Sequence, residues 1–252
     1  LRADLSNRDE NALMPLFGLN LERSDGTATN RFSLEFTGTS QLPGYTALNS
    51  RPQGLFGGNP DLGREYADTL AFSAAHERLN WQARASIFRR WDDDLVDWTF
   101  LAGAPFLRQA NPVDIDVTGL EAILAWQSRS LEVTGGFSWI DKEADYGGAR
   151  VDASYYALNY ARQRLTLALL YRPLASLELR WDNEYRRQQE NPLRTGRSEA
   201  YLAAVSLAWR LPVATALRLS LVADNLTDSR FEEFPGTPPM GRQVSLGIGL
   251  DW

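Results

Sequence analysis

Alternation of apolar and polar side chains with a period of two, sustained over about ten residues at a time, most restricts what this chain can fold into. In 175–186, Leu177, Leu179, Trp181 and Tyr185 share one face, and Glu178, Arg180, Asp182, Glu184 and Arg186 the other. Side chains of a strand point alternately to opposite faces, whereas a helix repeats every 3.6 residues, so this spacing predicts a strand. The pattern recurs in Leu165, Leu167, Leu169 and Tyr171, in Tyr201, Ala203, Val205, Leu207 and Trp209, and in Leu217, Leu219 and Leu221. It recurs again in Leu131, Val133, Phe137 and Trp139, and in Trp81, Ala83, Ala85 and Ile87. Read this way, the chain holds roughly eleven strands in hairpin order from Pro15 to Trp252.

The connections alternate between short and long. Brief turns are predicted at 76–80, 127–130, 172–176 and 211–215, with 22–30 somewhat longer. Long segments rich in Gly, Pro and charge fall at 38–66, 92–112, 141–161, 187–197 and 224–241. Short turns on one rim and long loops on the other are the pattern of outer-membrane barrels, whose long loops are extracellular.

A soluble antiparallel sandwich also alternates, but three features oppose it. Soluble strands run to ~5 to 6 residues, whereas these approach the length that crosses a bilayer at a tilt. Trp81, Trp91, Trp126, Trp139, Trp181, Trp209 and Trp252 sit toward strand ends, where an aromatic girdle meets lipid headgroups. A file of charges such as Glu178 to Arg186 cannot be a packed core, because burying so many ions is too costly. It needs water or a polar plug beside it. The apolar files are therefore expected to face lipid, with Leu177, Leu179, Leu217, Leu219, Leu246 and Ile248 outside any closed core.

Composition excludes several other classes. The mean hydropathy of -0.34 would suggest a soluble protein, but barrel strands are only half apolar. No apolar run approaches the ~18 residues of a spanning helix. With no cysteine there is no thiolate metal site and no disulfide framework, and a net charge of -6 without a basic run opposes nucleic acid as a partner. The first residues show no basic segment followed by an apolar core, as expected of a mature or incomplete exported chain.

The chain ends in GRQVSLGIGLDW, with Val244, Leu246, Ile248, Leu250 and Trp252 on one face. This ending resembles the assembly signal of outer-membrane barrels, which implies the barrel assembly machinery as a partner and puts this terminus at the periplasmic rim. A regular strand edge with one apolar face is a template for strand addition before closure. Just upstream, ADNLTDSRFEEFPGTPPMGRQ resembles the C-terminal signature of TonB-dependent receptors, matched by Asn225, Leu226, Asp228, Phe231, Gly241 and Arg242. GNPDLGREYADTLAFSA is similar to a second segment of that family, through Asn59, Pro60, Leu62 and Glu65. Arg64 stands where the family usually has proline, and Ser73 where it often has glycine.

The resemblance implies an all-β, antiparallel up-and-down transmembrane barrel, of which 1–252 is the C-terminal portion, about 11 of 22 strands, without the plug. It implies an energised importer of a scarce ligand such as a ferric siderophore or cobalamin, sited in the outer membrane of a Gram-negative bacterium. Its partners would be the TonB complex acting through the missing plug, outer-membrane lipids and a small-molecule ligand such as a metal chelate. Asn225 and Asp228 read as Asx-turn residues that stop a strand, structural rather than ligand-binding.

Other chemistries have little to stand on. Barrels of similar size can be phospholipases or proteases with a histidine base, but the only histidine, His76, falls in a short turn and reads as solvated. A passive pore, a lipid-facing enzyme and a purely structural barrel remain the alternatives. Asp92, Asp93, Asp94 and Asp97 could supply hard oxygen ligands for Ca²⁺, but read more simply as a solvated rim, so no metal site and no cofactor is expected. Arg89, Arg90, Arg108, Arg187, Arg194 and Arg197 lie in or near the long loops with Trp98, Phe100, Tyr155 and Tyr156. Of these, Arg89, Arg90, Trp98, Tyr155 and Arg187 are the candidate ligand-binding residues, cations and rings together suiting an anionic, ring-bearing ligand.

Topology makes one further demand. If Trp252 ends at the periplasmic rim, counting back makes 15–22 a descending strand that begins outside. A single-chain bacterial barrel has an even strand number, so the sheet is expected to be open, its first and last strands unpaired to each other.

Overall fold

The computed structural model describes residues 1–7, 9–51, 54–211 and 216–251. In chain order its strands begin with β1 (Arg2–Asp4), β2 (Ala12–Met14), β3 (Leu16–Ser24), β4 (Ala28–Gln41) and β5 (Phe56–Gly57). There follow β6 (Glu65–Arg78), β7 (Trp81–Phe100), β8 (Arg108–Gln127), β9 (Leu131–Asp145) and β10 (Ala153–Ser154). The last are β11 (Ala161–Leu174), β12 (Leu177–Gln188), β13 (Glu199–Leu211), β14 (Ala216–Asp224) and β15 (Gln243–Asp251). Among the described residues the only helix is the single turn α1 (Tyr45–Asn49).

Eleven strands form one antiparallel meander in the order β15-β14-β13-β12-β11-β9-β8-β7-β6-β4-β3, each paired with its neighbours in sequence. Two two-residue strands join from the side, β10 on β7 and β5, in parallel, on β8, making thirteen in the sheet. β1 and β2 pair only with each other. Among the described residues no pairing links β3 to β15, so the sheet is open, as the strand count requires.

Register lines the predicted faces up across strands. Leu177, Trp209, Leu219 and Ile248 form one transverse row, and Leu179, Leu207, Leu221 and Leu246 the next. Leu246 and Ile248 are 75% and 71% exposed, Leu177, Leu179, Leu217 and Leu219 are half-buried among their neighbours, and none belongs to a buried core. Side chains of this size gain about 2 kcal/mol each from leaving water, so such a face demands lipid or another apolar cover. The opposite face carries the charges, joined into pairs: Arg164 with Glu184 at 2.7 Å, Arg186 with the same carboxylate at 2.6 Å, and Arg180 with Asp182 at 2.6 Å.

Most short turns fall where predicted, although the turn at 212–215 and Trp252 lie outside the described residues. Two segments differ. His76 is not in a turn: it is a β6 residue, its Nδ1 2.8 Å from Asn30 Oδ1 on the adjacent strand. Much of 92–112 is not loop either, because β7 runs on to Phe100 and β8 begins at Arg108, leaving only 101–107 as the connection. A bulge between Asp92 and Leu95, with Asp94 at φ 55, inserts one extra residue and lets pairing resume at Leu95 with Val113.

This extension of the β7–β8 hairpin is packed on both faces, which is why it persists. On one side, Ala110 packs with Ala47 and Leu48 of α1, Leu62, Val96 and Trp98. On the other, Val113, Ile115 and Val117 pack with Tyr146, Ala157 and Leu158 of the 146–160 loop. Arg64, where the related segment usually has proline, is 3% exposed and donates to Asp4 at 2.6 Å, Ser40 at 3.2 Å and the Glu10 carbonyl at 3.2 Å. It thereby ties the β1–β2 hairpin to the rim of β4.

Candidate functional site

The end of the β7–β8 hairpin gathers rings from three long loops around one cation. Arg108 opens β8, and its guanidinium carbon lies 4.3 Å from the Tyr155 ring centre, 5.6 Å from that of Phe56 and 5.9 Å from that of Tyr156. One of its nitrogens, Nη1, donates to the Tyr156 hydroxyl at 2.8 Å. Phe56 meets Trp98 edge-on at 5.2 Å, and Tyr156 stands 6.0 Å from Phe234. Backbone pairing sets this geometry: β5 brings Phe56 alongside Arg108, and β10, continued by the Tyr155 N–H donating to the Trp98 carbonyl at 2.8 Å, brings the two tyrosines. Among the described residues no carboxylate forms an ion pair with Arg108. Tyr155 is buried, while Tyr156 and Phe234 are exposed, so the cluster has a closed base and an open rim.

The structure therefore brings together Trp98 and Tyr155 but not the other candidates. Arg90 is on the charged face, 2.5 Å from Asp92. Arg89 lies on the apolar face, 2.8 Å from Asp116 and over the Trp91 ring, and Arg187, on that same face, is 3.8 Å from Glu199. Alternation sends neighbouring residues to opposite faces, so Arg89 and Arg90 cannot serve one ligand from a regular strand. Phe56 and Phe234 are additions that sequence reading missed; they come from separate loops, and no local spacing marks them.

A second set of contacts locks the loops to one another. Buried Arg194 donates to the carbonyls of Glu232 at 3.2 Å and Gln189 at 2.9 Å, and to the Asn159 side chain. Asn159 Nδ2 donates to the Glu233 carbonyl at 2.9 Å, and Asn191 Nδ2 to the Ser154 carbonyl at 2.6 Å. The Glu232 carboxylate accepts from the Thr195 N–H at 2.8 Å and the Gly236 N–H at 2.5 Å. Burial opposes its ionisation, but these hydrogen bonds outweigh burial and hold it below its ordinary pKa. Loops 146–160, 189–198 and 225–242 are thus one hydrogen-bonded assembly.

The acidic run is dispersed. Asp92 is held by Arg90, and fully buried Asp97 accepts from the Tyr146 hydroxyl at 2.7 Å and the Ala157 N–H at 3.1 Å, while Asp93 and Asp94 are exposed. Among the described residues no group of acids or histidine is arranged to hold a metal ion. On the charged face, beneath the last loop, is a cavity of about 630 Å³ lined by Arg164, Glu184, Arg186, Phe231 and Glu233.

A wall of long antiparallel strands with an apolar outer face, a charged inner face and interlocked loops at one rim defines a segment of a transmembrane β-barrel. The sequence profile described as TonB dependent receptor-like, beta-barrel, matches residues 2–226, and the chain belongs to that family, whose barrels stand in the Gram-negative outer membrane. Among curated protein sequences none matches this chain.

Solved structures show the same fold. The FrpB iron transporter from Neisseria meningitidis superposes with a TM-score of 0.69 at 20% identity, over 95% of this chain and 39% of that one. The copper transporter OprC gives 0.69 at 15% identity, over 95% and 39%. The siderophore receptor PirA from Pseudomonas aeruginosa gives 0.66 at 15% identity, over 96% and 40%. The chain thus spans about two fifths of the length of the structures it matches.

Proposed function

We propose that this chain is the C-terminal wall of an outer-membrane active transporter, and that its outer loops receive an anionic, ring-bearing metal chelate at the Arg108 cluster. The observation that carries the reading is a guanidinium set among Phe56, Tyr155 and Tyr156 with no carboxylate ion-paired to it among the described residues. A cation on aromatic faces, left without a counter-ion, attracts a delocalised anion through charge and its rings through stacking. A ferric catecholate has both properties; cobalamin lacks the anionic rings and fits less well. Uptake would be driven by the TonB complex through the plug, with insertion by the barrel assembly machinery acting on β15. The likeness to FrpB, an iron transporter, and PirA, a siderophore receptor, supports the choice of an iron chelate.

The test is a titration of the full-length receptor with a ferric catecholate, followed by tryptophan fluorescence. Arg108→Ala should weaken binding by about tenfold or more, the scale of one charge-assisted contact. Arg187→Ala, on β12 and three strands away from β8, should leave it unchanged. Equal affinity of the Arg108 variant and the unaltered receptor would refute the proposal.

A further inference from the structure

The apolar outer face is not uniformly convex. Across β4, β6, β7, β8, β9 and β11 it sinks into an open trough of about 540 Å³. Phe32 walls one end and Phe137 and Leu165 the other, with Ala74, Ala85 and Ala122 in the paired row between them. Along β7 this floor lies four residues, or about 13 Å, from the Trp81 row, within the depth of one leaflet's hydrocarbon, roughly half of a ~30 Å core. The next row toward the short-turn rim contains Asn30, His76, Ala83 and Leu124, and the row beyond contains Trp81 and Trp126, their rings 6.1 Å apart. The trough therefore begins at the aromatic girdle and rises into the apolar belt.

Its β4–β6 end is cationic. Arg23 pairs in register with Asn30, and Arg78 with Ala28 and Trp81, which puts both arginines on the apolar face at the girdle. Both are exposed, and among the described residues neither forms an ion pair. The nearby acid, Asp25, is held by the Thr27 and Ala28 N–H groups; it stays charged and feels Arg78, but forms no ion pair with it. The His76–Asn30 pair lines the edge of the trough nearest these cations, a polar group on an otherwise apolar face.

We propose that this trough is a binding site for one phospholipid of the periplasmic leaflet: an acyl chain lies along the Ala74, Ala85 and Ala122 floor, and the phosphate is held by Arg23 and Arg78 beside His76. Charge complementarity selects this occupant. Two arginines without an ion pair at the headgroup level favour a phosphate, and an apolar trough opening from that level into the belt favours a hydrocarbon chain joined to it. The proposal rests on the outer-membrane reading of the apolar face.

Native mass spectrometry of the full-length receptor in mild detergent, titrated with phosphatidylglycerol, tests it. The unaltered receptor should retain one tightly held lipid. Arg23→Ala and Arg78→Ala should each lower its affinity about fivefold, the effect of one arginine near an anionic surface. Ala122→Phe, which fills the trough and keeps the charges, should abolish the tight adduct, whereas Leu207→Phe, on the same face but remote, should not. Retention of the adduct by the Ala122 variant, or a dimer in place of a lipid adduct, overturns the proposal. Outer-membrane fractionation and heat-modifiable migration of each variant separate this failure from failure of the membrane reading, in which the receptor would not fractionate with the outer membrane at all.

Discussion

At the scale of single residues, the family signature has a mechanical role. Asn225 and Asp228 both adopt positive φ, 48° and 49°, a conformation that Asn and Asp tolerate better than most residues. The Asn225 side chain then accepts from the Ser229 N–H at 2.9 Å and donates to the carbonyls of Ser229 at 3.0 Å and Met240 at 2.8 Å. Asp228 accepts the Arg242 N–H at 3.2 Å, so the base of the loop is clasped from both ends. Asn225→Ala should lose these bonds and strain the backbone, a local cost of about 1 to 3 kcal/mol. Asn225→Gly should recover only the backbone part. Hydrogen exchange within 226–241 distinguishes them: faster in both variants, fastest in the alanine one, and equal rates would show that the side-chain bonds contribute nothing. Gly119 illustrates a different demand, since a Cβ there would stand 2.2 Å from the Phe88 ring. The ring covers the backbone, and Gly119→Val should lower the heat-modifiable folded fraction of the receptor on gel analysis.

At the scale of elements, the hydrogen-bonded loops respond to acid in a defined direction. Glu232 has a folded-state pKa below its ordinary value of 4.5, so its stabilising contribution is complete above that value and is lost as pH falls through the lowered one. Limited proteolysis of loops 189–198 and 225–242 should accelerate together as pH falls below 4.5 and through the lowered value. Glu232→Gln should show fast cleavage already at neutral pH with little further change on acidification; an unchanged acid response in that variant would assign the effect to another group. β15 is the other element with a role of its own. Val244, Leu246, Ile248 and Leu250 are all largely exposed along a strand whose far edge has no partner among the described residues. If this file is the assembly signal, Ile248→Asp or removal of Trp252 should reduce the receptor in the outer membrane without reducing its synthesis, as measured by fractionation and immunoblotting. Normal levels in both would leave the file a lipid-facing surface only.

At the scale of the whole molecule, an odd number of meander strands means that β3 and β15 run in the same direction. Two copies related about the membrane normal would meet in parallel pairs, so antiparallel closure needs a partner that contributes an odd number of further strands. Exposed edges of this kind invite association. Refolded alone in detergent, residues 1–252 should elute as a heterogeneous oligomer in size-exclusion chromatography with light scattering; a sharp monomer would show that the edges are satisfied within the chain.

Alternation by itself determined the all-β class, the eleven strands of the meander and which files stay outside any core, because the side-chain period of a strand is local and each residue reports its own face. Turn chemistry at Asn225 and Asp228 was legible for the same reason. The length of the β7–β8 hairpin was not: one bulge beside Asp94 changes which face every later residue presents, and packing by two distant loops then extends the pairing. Nor could the candidate site be read in full. Arg108, Tyr155 and Tyr156 were recognisable as loop residues, but their convergence with Phe56 and Phe234, and the separation of Arg89 and Arg187 from them, depend on contacts between loops many residues apart. Only the tertiary structure decides those, since the free energy that places a loop lies in what it packs against and not in its own sequence.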